Sequence, residues 1–308
     1  MDVSPLSQAL LHELIENRGE LLQKQAGFDP VALSEAIKIL EDEGYPLNRV
    51  GAGYRLAPGT PTPQALKQLL DGSFGQPYSY QGRLDSTQDA VRRLALEETP
   101  EGAVVLAERQ EQGRGRRGRA WASRPGQSLT FSVLLRPRLH SSRLSLLSLA
   151  AGLAVVEACA LGGLKWPNDL LAPDGRKLAG VLLEAQFAGE HLSYAVLGIG
   201  LNIHRPVPEG AAALEEFGQV SRVEVLARIL QGLEARYQQL YHDPEGVLRD
   251  YRAKSYTLGH RVRVMTSAGA IEGEALEVAS DGSLVLKSGT QTHRISAGDV
   301  QMVGRFSV

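Results

Sequence analysis

The N-terminal part of the chain has the hydrophobic spacing of short helices separated by turn residues. Apolar residues recur every three or four positions over residues 7–16, and a second short helix is predicted over residues 20–25. Asp29 followed by a proline is typical of the start of a helix, which Gly44 ends. Residues 47–56 have the turn-rich pattern of a hairpin. Three helices and a hairpin in this order predict a winged helix-turn-helix, an architecture that binds DNA.

Further along, apolar strand-like runs alternate with helices. A proline-rich linker near residues 58–63 comes first, and we expect few contacts to cross it. Strands are predicted over residues 103–108, 129–135, 164–171 (interrupted by Pro167), 178–186 and 192–203. Helices are predicted over residues 62–70, 141–161 (ended by Gly162 and Gly163) and 223–241.

The C-terminal part has a different texture, with short alternating segments between Gly, Asp and Ser turns, which predicts a small β-barrel. The chain as a whole is therefore predicted to be an α+β protein of three domains. Their predicted bounds are residues 1–60 for the winged helix-turn-helix, 61–254 for the central α/β domain and 255–308 for the barrel.

The composition is that of an ordinary globular protein. Of 308 residues, 43% are hydrophobic and 22% are charged, and the net charge is −2. The single cysteine lies in the apolar run AVVEACAL, which excludes a disulfide framework and suits a reducing compartment. The seven histidines lack metal-ligand spacing, so we expect no zinc site. Without a signal-peptide pattern or a run of about 18 apolar residues, we expect a cytoplasmic protein with no membrane partner.

The charge of the N-terminal domain opposes DNA binding. Up to Leu56 there are nine acidic and five basic residues, a net charge of −4. The helix in the position of a recognition helix carries four acidic residues against Lys38 alone. Because DNA affinity depends on neutralising phosphates, such a helix repels DNA. We therefore expect DNA to be a weak partner at most, despite the architecture.

Residues 113–121, GRGRRGRAW, interleave four arginines with three glycines. Glycine lets the backbone approach a ligand closely, and guanidinium groups match carboxylate and phosphate oxygens. The spacing also satisfies the dinucleotide fingerprint G-x-G-x-x-G, which requires a helix to begin inside it. Here Arg124-Pro125-Gly126 and a strand follow, so a Rossmann site is rejected. An Arg/Gly run can also be an RNA-binding tract, but its position between apolar strands favours a loop that closes over an anionic ligand.

Three further motifs bring polar groups to this loop: LDST before it, and KWPNDLL and KLAG after it. The turn APDGR joins the last two as antiparallel strands, which brings Asn168, Asp169 and Lys177 into one neighbourhood. Asp169 is a candidate Mg²⁺ ligand, and Lys177 can stabilise charge that develops on a phosphorus centre. The combination indicates a site for a nucleoside triphosphate with magnesium.

In this order, GRGRRGRAW, KWPNDLL and KLAGVLLE resemble the bacterial biotin–protein ligases, of the three-domain class that can double as biotin operon repressors. The resemblance implies a central fold shared with lipoyl ligases and a C-terminal SH3-like barrel. It also implies an activity: with Mg²⁺ present, biotin and ATP give biotinyl-5′-AMP and pyrophosphate, and biotin then passes to one lysine of the biotin carboxyl carrier protein of acetyl-CoA carboxylase or a related carboxylase. Both a monomer and a ligand-promoted homodimer stay open.

The resemblance also implies roles for individual residues. Those expected to bind biotin are Ser86, Thr87, Gln88, Gln110, Arg114, Gly115, Arg116 and Lys177. Those expected to bind the nucleotide are Arg116, Arg119, Trp121, Asn168 and Lys177. Lys177 and Arg116 are the expected catalytic residues, and Asp169 is the expected metal ligand. Gln88 stands where the family commonly has Asn, so its backbone contact is expected to be retained.

Several of these residues also have purely structural interpretations. Trp121 and Trp166 can be packing residues, Asp169 a solvated turn residue, and Ser86 and Thr87 a helix N-cap. The last two roles are compatible with ligand binding, because a cap uses one hydroxyl and leaves the other free.

Two other functions are consistent with this sequence. A lipoate or octanoate ligase would share the central fold but lacks the arginine-rich loop. A ligand-sensing transcription factor with an inactive ligase domain would share all three domains, but the intact Arg116, Asp169 and Lys177 argue against inactivity.

Overall fold

The computed structural model describes residues 5–16, 29–51, 53–189 and 191–303. Within these ranges the chain is an α+β protein, with N-terminal helices and a small hairpin, a central mixed sheet and a C-terminal antiparallel sheet. This confirms the predicted fold class. The helix predicted over residues 20–25 lies outside the described residues.

The N-terminal domain contains helices α1 (Pro5–Glu16) and α2 (Pro30–Asp42) and a hairpin of β1 (Leu47–Val50) and β2 (Gly53–Leu56). As predicted, Asp29 caps α2: its Oδ2 accepts a hydrogen bond of 3.1 Å from the Ala32 amide. The apolar faces of these elements form a small core of their own, made of Leu10, Leu14, Ala36, Leu40 and Leu56.

The central domain is built on one seven-stranded sheet. Its strands are β3 (Tyr78–Leu84), β4 (Val104–Gln110), β5 (Ser128–Leu135), β6 (Gly163–Lys165), β7 (Asp169–Leu171), β8 (Lys177–Ala188) and β9 (His191–Asn202). Its helices are α3 (Pro63–Lys67), α4 (Thr87–Leu96), α5 (Ser145–Cys159), α6 (Arg222–His242) and α7 (Pro244–Ala253). The spatial order is β3-β4-β5-β9-β8-β7-β6, and every neighbouring pair is antiparallel except β3 and β4, which α4 connects.

Helices cover the two faces of this sheet unequally. On one face α4 packs against β4, β5 and β9, and Val91, Leu134 and Val196 meet there. On the other face α5 and α6 cover the sheet, and α7 packs against both helices. Strand β5 is buried along its whole length. The first face is covered only in part, and the remainder of it is the floor of a pocket.

Helix α5 is apolar on all sides. The segment Ser141–Cys159 is long and apolar enough to cross a membrane, with a mean hydropathy of 1.5, but 67% of it is buried inside the protein. It is therefore accounted for as the core helix between the sheet, α6 and α7. The helix ends at Ala160, whose φ of +54° gives the left-handed C-cap, and not at the two glycines predicted to end it.

The strand predicted over residues 164–171 is interrupted near Pro167, as predicted, but it does not continue in the same direction. The chain instead makes two short strands, β6 and β7, which pair antiparallel with Lys165 opposite Asp169. The reversal occurs at Trp166, Pro167 and Asn168, where proline removes a backbone donor and the ladder cannot continue.

The C-terminal domain is a five-stranded antiparallel sheet. Its strands are β10 (Arg261–Thr266), β11 (Gly269–Val278), β12 (Leu284–Ser288), β13 (Gln291–Ile295) and β14 (Asp299–Met302), in the order β13-β12-β11-β10-β14. Trp166 of the central domain contacts this sheet domain. Its indole is 1% exposed, and its Nε1 donates a 2.9 Å hydrogen bond to the carbonyl of Gly282 in the C-terminal domain. For Trp166 the packing interpretation therefore holds.

The linker between the first two domains is packed, contrary to the expectation of few contacts. The Val223 amide donates to the Gly59 carbonyl at 2.9 Å, and the Tyr78 hydroxyl donates to the Pro61 carbonyl at 2.6 Å. The N-terminal domain also touches β3 directly, where Arg83 pairs with Glu43 at 3.0 Å. The proline-rich composition led to the expectation of few contacts because it does not show which residues the segment meets in the fold.

Candidate active site

The floor of the pocket is a set of directly opposed residues on the three central strands. Thr130 of β5 lies opposite Gly200 of β9, which lies opposite Gly180 of β8. Two residues along, Ser132 lies opposite Gly198, which lies opposite Leu182. Opposed residues project to the same face of a sheet, so these positions form one surface. Three of the six are glycines, which makes much of that surface main chain.

The start of α4 brings hydroxyl and amide groups to one end of this floor. Gln110 Oε1 accepts hydrogen bonds from the Thr87 amide at 2.8 Å and the Thr87 hydroxyl at 3.0 Å. The same hydroxyl lies 2.8 Å from that of Ser132. Ser86 occupies the N-cap position, but its side chain makes no capping bond, so its buried hydroxyl can serve a ligand.

Gln88 lies on the floor itself. Its Nε2 donates to the Leu182 carbonyl at 3.0 Å, while its buried Oε1 has no hydrogen-bond partner in the described part of the chain. A buried acceptor without a partner is costly, so this oxygen is suited to accept an N–H group from a ligand.

The opposite end of the pocket is charged. Lys177 Nζ lies 2.6 Å from Asp169 Oδ1, and Lys165 Nζ lies 3.0 Å from Oδ2. Burial alone would raise the pKa of Asp169, but the two ammonium groups hold that pKa below its usual value. The β7–β8 pairing predicted from the APDGR turn is confirmed, and it brings Asp169 and Lys177 together. A carboxylate that stays ionised fixes the ammonium of Lys177 at the mouth of the pocket.

Residues 113–121, which we call the arginine loop, close the pocket from above. The Trp121 amide donates to the Gly113 carbonyl at 2.9 Å, and the Gly115 amide donates to the Arg119 carbonyl at 2.7 Å. The indole of Trp121 lies so close to Gly200 that a Cβ there would be 2.2 Å from its Cε2. Lys177 Nζ lies 5.8 Å from the centre of the indole ring. Trp121 thus lines the pocket and packs against its glycine floor.

The arginines of the loop are held by different partners. Arg114 makes a bidentate pair with Asp89, with both distances at 2.7 Å. Arg116 Nη1 donates to Asn168 Oδ1 at 3.1 Å. Burial lowers the pKa of Arg116, and Asp299 opposes that shift. Arg119 donates a hydrogen bond to Asp299.

A single pocket brings together all the residues that the sequence assigned to a site. It encloses roughly 750 Å³, a volume that includes the open solvent at its mouth. Those residues are Ser86, Thr87, Gln88, Gln110, Arg114, Gly115, Arg116, Arg119, Trp121, Asn168, Asp169 and Lys177.

Other pocket residues were not predicted, among them the glycine floor, Ser132 and Asp299. The glycines had a signal: GIGLN and KLAG place glycine inside predicted strands, which marks a close approach of the backbone to something else. Asp299 had no signal, because it comes from a different domain.

Asp169 does not fit the predicted role of a magnesium ligand. Each of its oxygens already faces an ammonium group, and a cation there would meet the positive charge of both lysines. No group of three or more His, Cys, Asp or Glu side chains suited to a metal occurs among residues 5–16, 29–51, 53–189 and 191–303. The geometry instead makes Asp169 the residue that positions Lys177.

A scan against known families matches this architecture twice. Residues 80–202 match the biotin/lipoate A/B protein ligase family, and residues 257–303 match the biotin protein ligase C-terminal domain. The biotin–[acetyl-CoA-carboxylase] ligase of Mycobacterium tuberculosis is 38% identical over 227 residues, covering 69% of this chain and 83% of its own length. The chain belongs to the biotin/lipoate A/B protein ligase family, and within it to the biotin protein ligases that carry this C-terminal domain.

Two further similarities extend this comparison. One covers more of the chain, and the other is to a structure that was solved with ligands bound. The bifunctional ligase/repressor BirA of Bacillus spizizenii is 29% identical over 303 residues, which is 92% of this chain and 93% of the relative. The structure of the biotin protein ligase from Aquifex aeolicus in complex with biotin and ATP superposes with a TM-score of 0.63 at 29% identity. It covers 73% of this chain and 98% of its own length.

Proposed function

We propose that this enzyme binds biotin and ATP in the pocket under the arginine loop, forms biotinyl-5′-AMP and transfers biotin to a lysine of a carrier protein. One observation supports this most. The pocket floor consists of hydroxyl, amide and backbone groups, and at its charged end lies Lys177, whose Nζ is 2.6 Å from Asp169 Oδ1. A neutral ring system fits the uncharged end of such a pocket, and a carboxylate fits the charged end.

In the first step a carboxylate oxygen of biotin attacks the α-phosphorus of ATP. A carboxyl–phosphate bond forms, the bond to the β-phosphate oxygen breaks, and pyrophosphate leaves. Two anions must meet in this step, and Lys177 and Arg116 supply positive charge at the place where they do. In the second step the amine of the carrier lysine attacks the carbonyl carbon, loses a proton and displaces AMP. The resulting amide needs no covalent intermediate with the enzyme.

Magnesium belongs to this proposal only as a companion of ATP. Mg²⁺ keeps several waters and is commonly held through substrate phosphates with one or two carboxylates. Since Asp169 is engaged with two lysines, the ion would enter on the phosphate oxygens of ATP.

The names of the relatives support a carrier domain of acetyl-CoA carboxylase as the acceptor. Two of them, from Mycobacterium tuberculosis and Paracoccus denitrificans, are named biotin–[acetyl-CoA-carboxylase] ligases.

The deciding experiment incubates the full chain with ATP, Mg²⁺, a carrier domain and either biotin or lipoate. We expect biotin on the carrier lysine and none on a carrier with that lysine replaced by arginine. Faster transfer of lipoate than of biotin would contradict the proposal.

A repressor function is a second candidate, favoured by the likeness to BirA over 92% of the chain. The described N-terminal domain does have two helices and a hairpin, but α2 exposes Glu35, Glu41 and Asp42 beside Lys38. We propose that any DNA binding by this domain is weak at physiological salt, since a phosphate backbone would meet more acidic than basic groups.

A further inference from the structure

Asp299 lies in the C-terminal domain, at the first position of β14, and faces the arginine loop of the central domain. Its side chain is 15% exposed and accepts a hydrogen bond from Arg119 Nη2. Arg116 Nη1 and Arg117 Nη1 each lie 3.6 Å from its carboxylate oxygens. One carboxylate thus contacts three of the four arginines of the loop.

Two backbone carbonyls of the C-terminal domain add to this contact. The Met265 carbonyl accepts a hydrogen bond of 2.6 Å from Arg117 Nη2, and the Gly298 carbonyl accepts one of 3.1 Å from Arg116 Nη1. Arg114 is the exception, since it pairs with Asp89 of the central domain. The C-terminal domain therefore supplies the partners of the outer part of the loop.

The charges at this contact do not balance. Within 4.0 Å, no acidic side chain of the described residues other than Asp299 reaches Arg116, Arg117 or Arg119. Three like charges so close together repel one another, and without a counterion the loop would move away from the pocket. The backbone of Arg117 also has a φ of +55°, an unfavourable conformation for a residue with a side chain, so the turn needs contacts that hold it.

We propose that Asp299 is a positioning residue, the counterion through which the C-terminal domain holds the arginine loop over the pocket. It acts through Arg116, which it keeps beside Asn168, and through Arg119. In terms of the proposed function, on which this part rests, Asp299 would set how long the activated biotin stays in the enzyme. The loop can open only when its contact with β14 is broken.

The first test uses the enzyme without ligands, so it does not depend on the proposed function. Trypsin cleaves after arginines, and cleavage in the loop measures how often the loop is open. Asp299→Asn keeps the shape and removes the charge, and we expect loop cleavage to become about tenfold faster or more. The matched control is Glu272→Gln, because Glu272 also pairs with two arginines of this sheet, Arg261 and Arg263, and forms no ion pair with the loop among the described residues. It should cleave at the wild-type rate.

A conservative variant keeps this test informative if Asp299→Asn lowers stability. Asp299→Glu retains the charge and should bring the cleavage rate back toward that of the wild type. Thermal unfolding of all variants separates loop opening from general unfolding. If the loop of Asp299→Asn is cut no faster than that of Glu272→Gln, the proposal is wrong.

The second test measures release of the intermediate. Biotinyl-5′-AMP is formed in the enzyme, and its loss is followed after dilution for the wild type, Asp299→Asn, Arg119→Gln and the double variant. We expect faster release in each single variant, and no further increase in the double over Asp299→Asn, because that substitution already removes the contact with Arg119.

The outcomes of the second test separate two failures. A wild-type enzyme that forms no adenylate contradicts the proposed function and leaves the cleavage result standing. Since Asp299 also lines the pocket, it could instead repel the phosphates of ATP. In that case Asp299→Asn would lower the KM for ATP and leave release unchanged, and the positioning role would be overturned.

Discussion

Glu108 and Arg222 form an ion pair that solvent does not reach: Arg222 Nη2 lies 2.7 Å from Glu108 Oε1, and the two side chains are 1% and 0% exposed. Glu108 is on β4, which leads into the arginine loop, and Arg222 begins α6. The second oxygen of Glu108 accepts a 2.8 Å hydrogen bond from the Gly126 amide, just after the loop. The pair therefore ties the base of the arginine loop to the core of the sheet.

Breaking this pair should be strongly destabilising. Glu108→Gln leaves the guanidinium of Arg222 buried without a counterion, and we expect a loss of about 3–5 kcal/mol in the free energy of unfolding, measured in urea. The exposed pair Arg109–Glu111 is the control, and Glu111→Gln should lose less than about 1 kcal/mol. Equal effects of the two substitutions would show that burial does not set the strength of the Glu108–Arg222 pair.

Lys177→Ala should lower the rate of adenylate formation by about two orders of magnitude, as expected for losing a charge that acts on the transition state. Biotin-dependent exchange of pyrophosphate into ATP measures this step without the carrier. Lys287→Ala, an exposed lysine of β12, is the control and should leave the rate unchanged. A near-wild-type single-turnover rate in Lys177→Ala would remove this lysine from the mechanism.

Gly200→Ala should weaken biotin binding by about tenfold or more, since the new methyl group would displace Trp121 and overpacking costs about 1–3 kcal/mol. Calorimetric titration with biotin gives the dissociation constant. Gly232→Ala, inside α6, serves as the control because its Cβ would meet Ala154 at an ordinary 3.6 Å. Unchanged affinity in Gly200→Ala would mean that the indole moves aside without cost.

Cys159 should make stability depend on alkaline pH. Burial raises the pKa of its thiol to about 12, against about 8.5 for an exposed thiol. The neutral thiol is favoured by folding, so its contribution is complete below about pH 8.5 and is lost as the pH rises toward 12. The stability of the wild type relative to Cys159→Ala should fall by up to about 1.4 kcal/mol per pH unit in this window. Urea unfolding at several pH values tests this, and parallel curves would contradict it.

The full-length protein should bind DNA with only weak, salt-sensitive affinity, with a dissociation constant above about 1 μM at physiological salt. Glu35→Lys should strengthen binding, because it places a positive charge on α2. Glu209→Lys changes the net charge equally on an exposed loop of the central domain, and it should have a smaller effect. Tight, sequence-specific binding by the unaltered protein would overturn the charge argument.

Local chemistry made much of this fold predictable. Asp29 and the proline after it specify the start of α2, and the APDGR turn specifies that Asp169 and Lys177 lie on neighbouring strands. Each of these relationships spans ten residues or fewer, so the sequence between the partners determines the geometry.

Relationships between distant segments were not predictable in the same way. The contact of Asp299 with Arg119 depends on how two domains pack, and that of Trp121 with Gly200 depends on the order of strands in the sheet. The contacts of the linker were unpredictable for the same reason, because its composition does not reveal that Gly59 contacts α6. The sequence motifs located the site because they contain many of the residues that line the pocket.

The main-chain floor made by Gly180, Gly198 and Gly200 limits how this pocket can change. A surface without side chains has nothing to shorten, so any substitution there can only make the cavity shallower. Room for a bulkier analogue has to come from positions that carry side chains, and Trp121 in the roof is the largest of these. Variants selected to accept enlarged ligands should therefore accumulate changes at Trp121 and other lining side chains while the three glycines stay as they are.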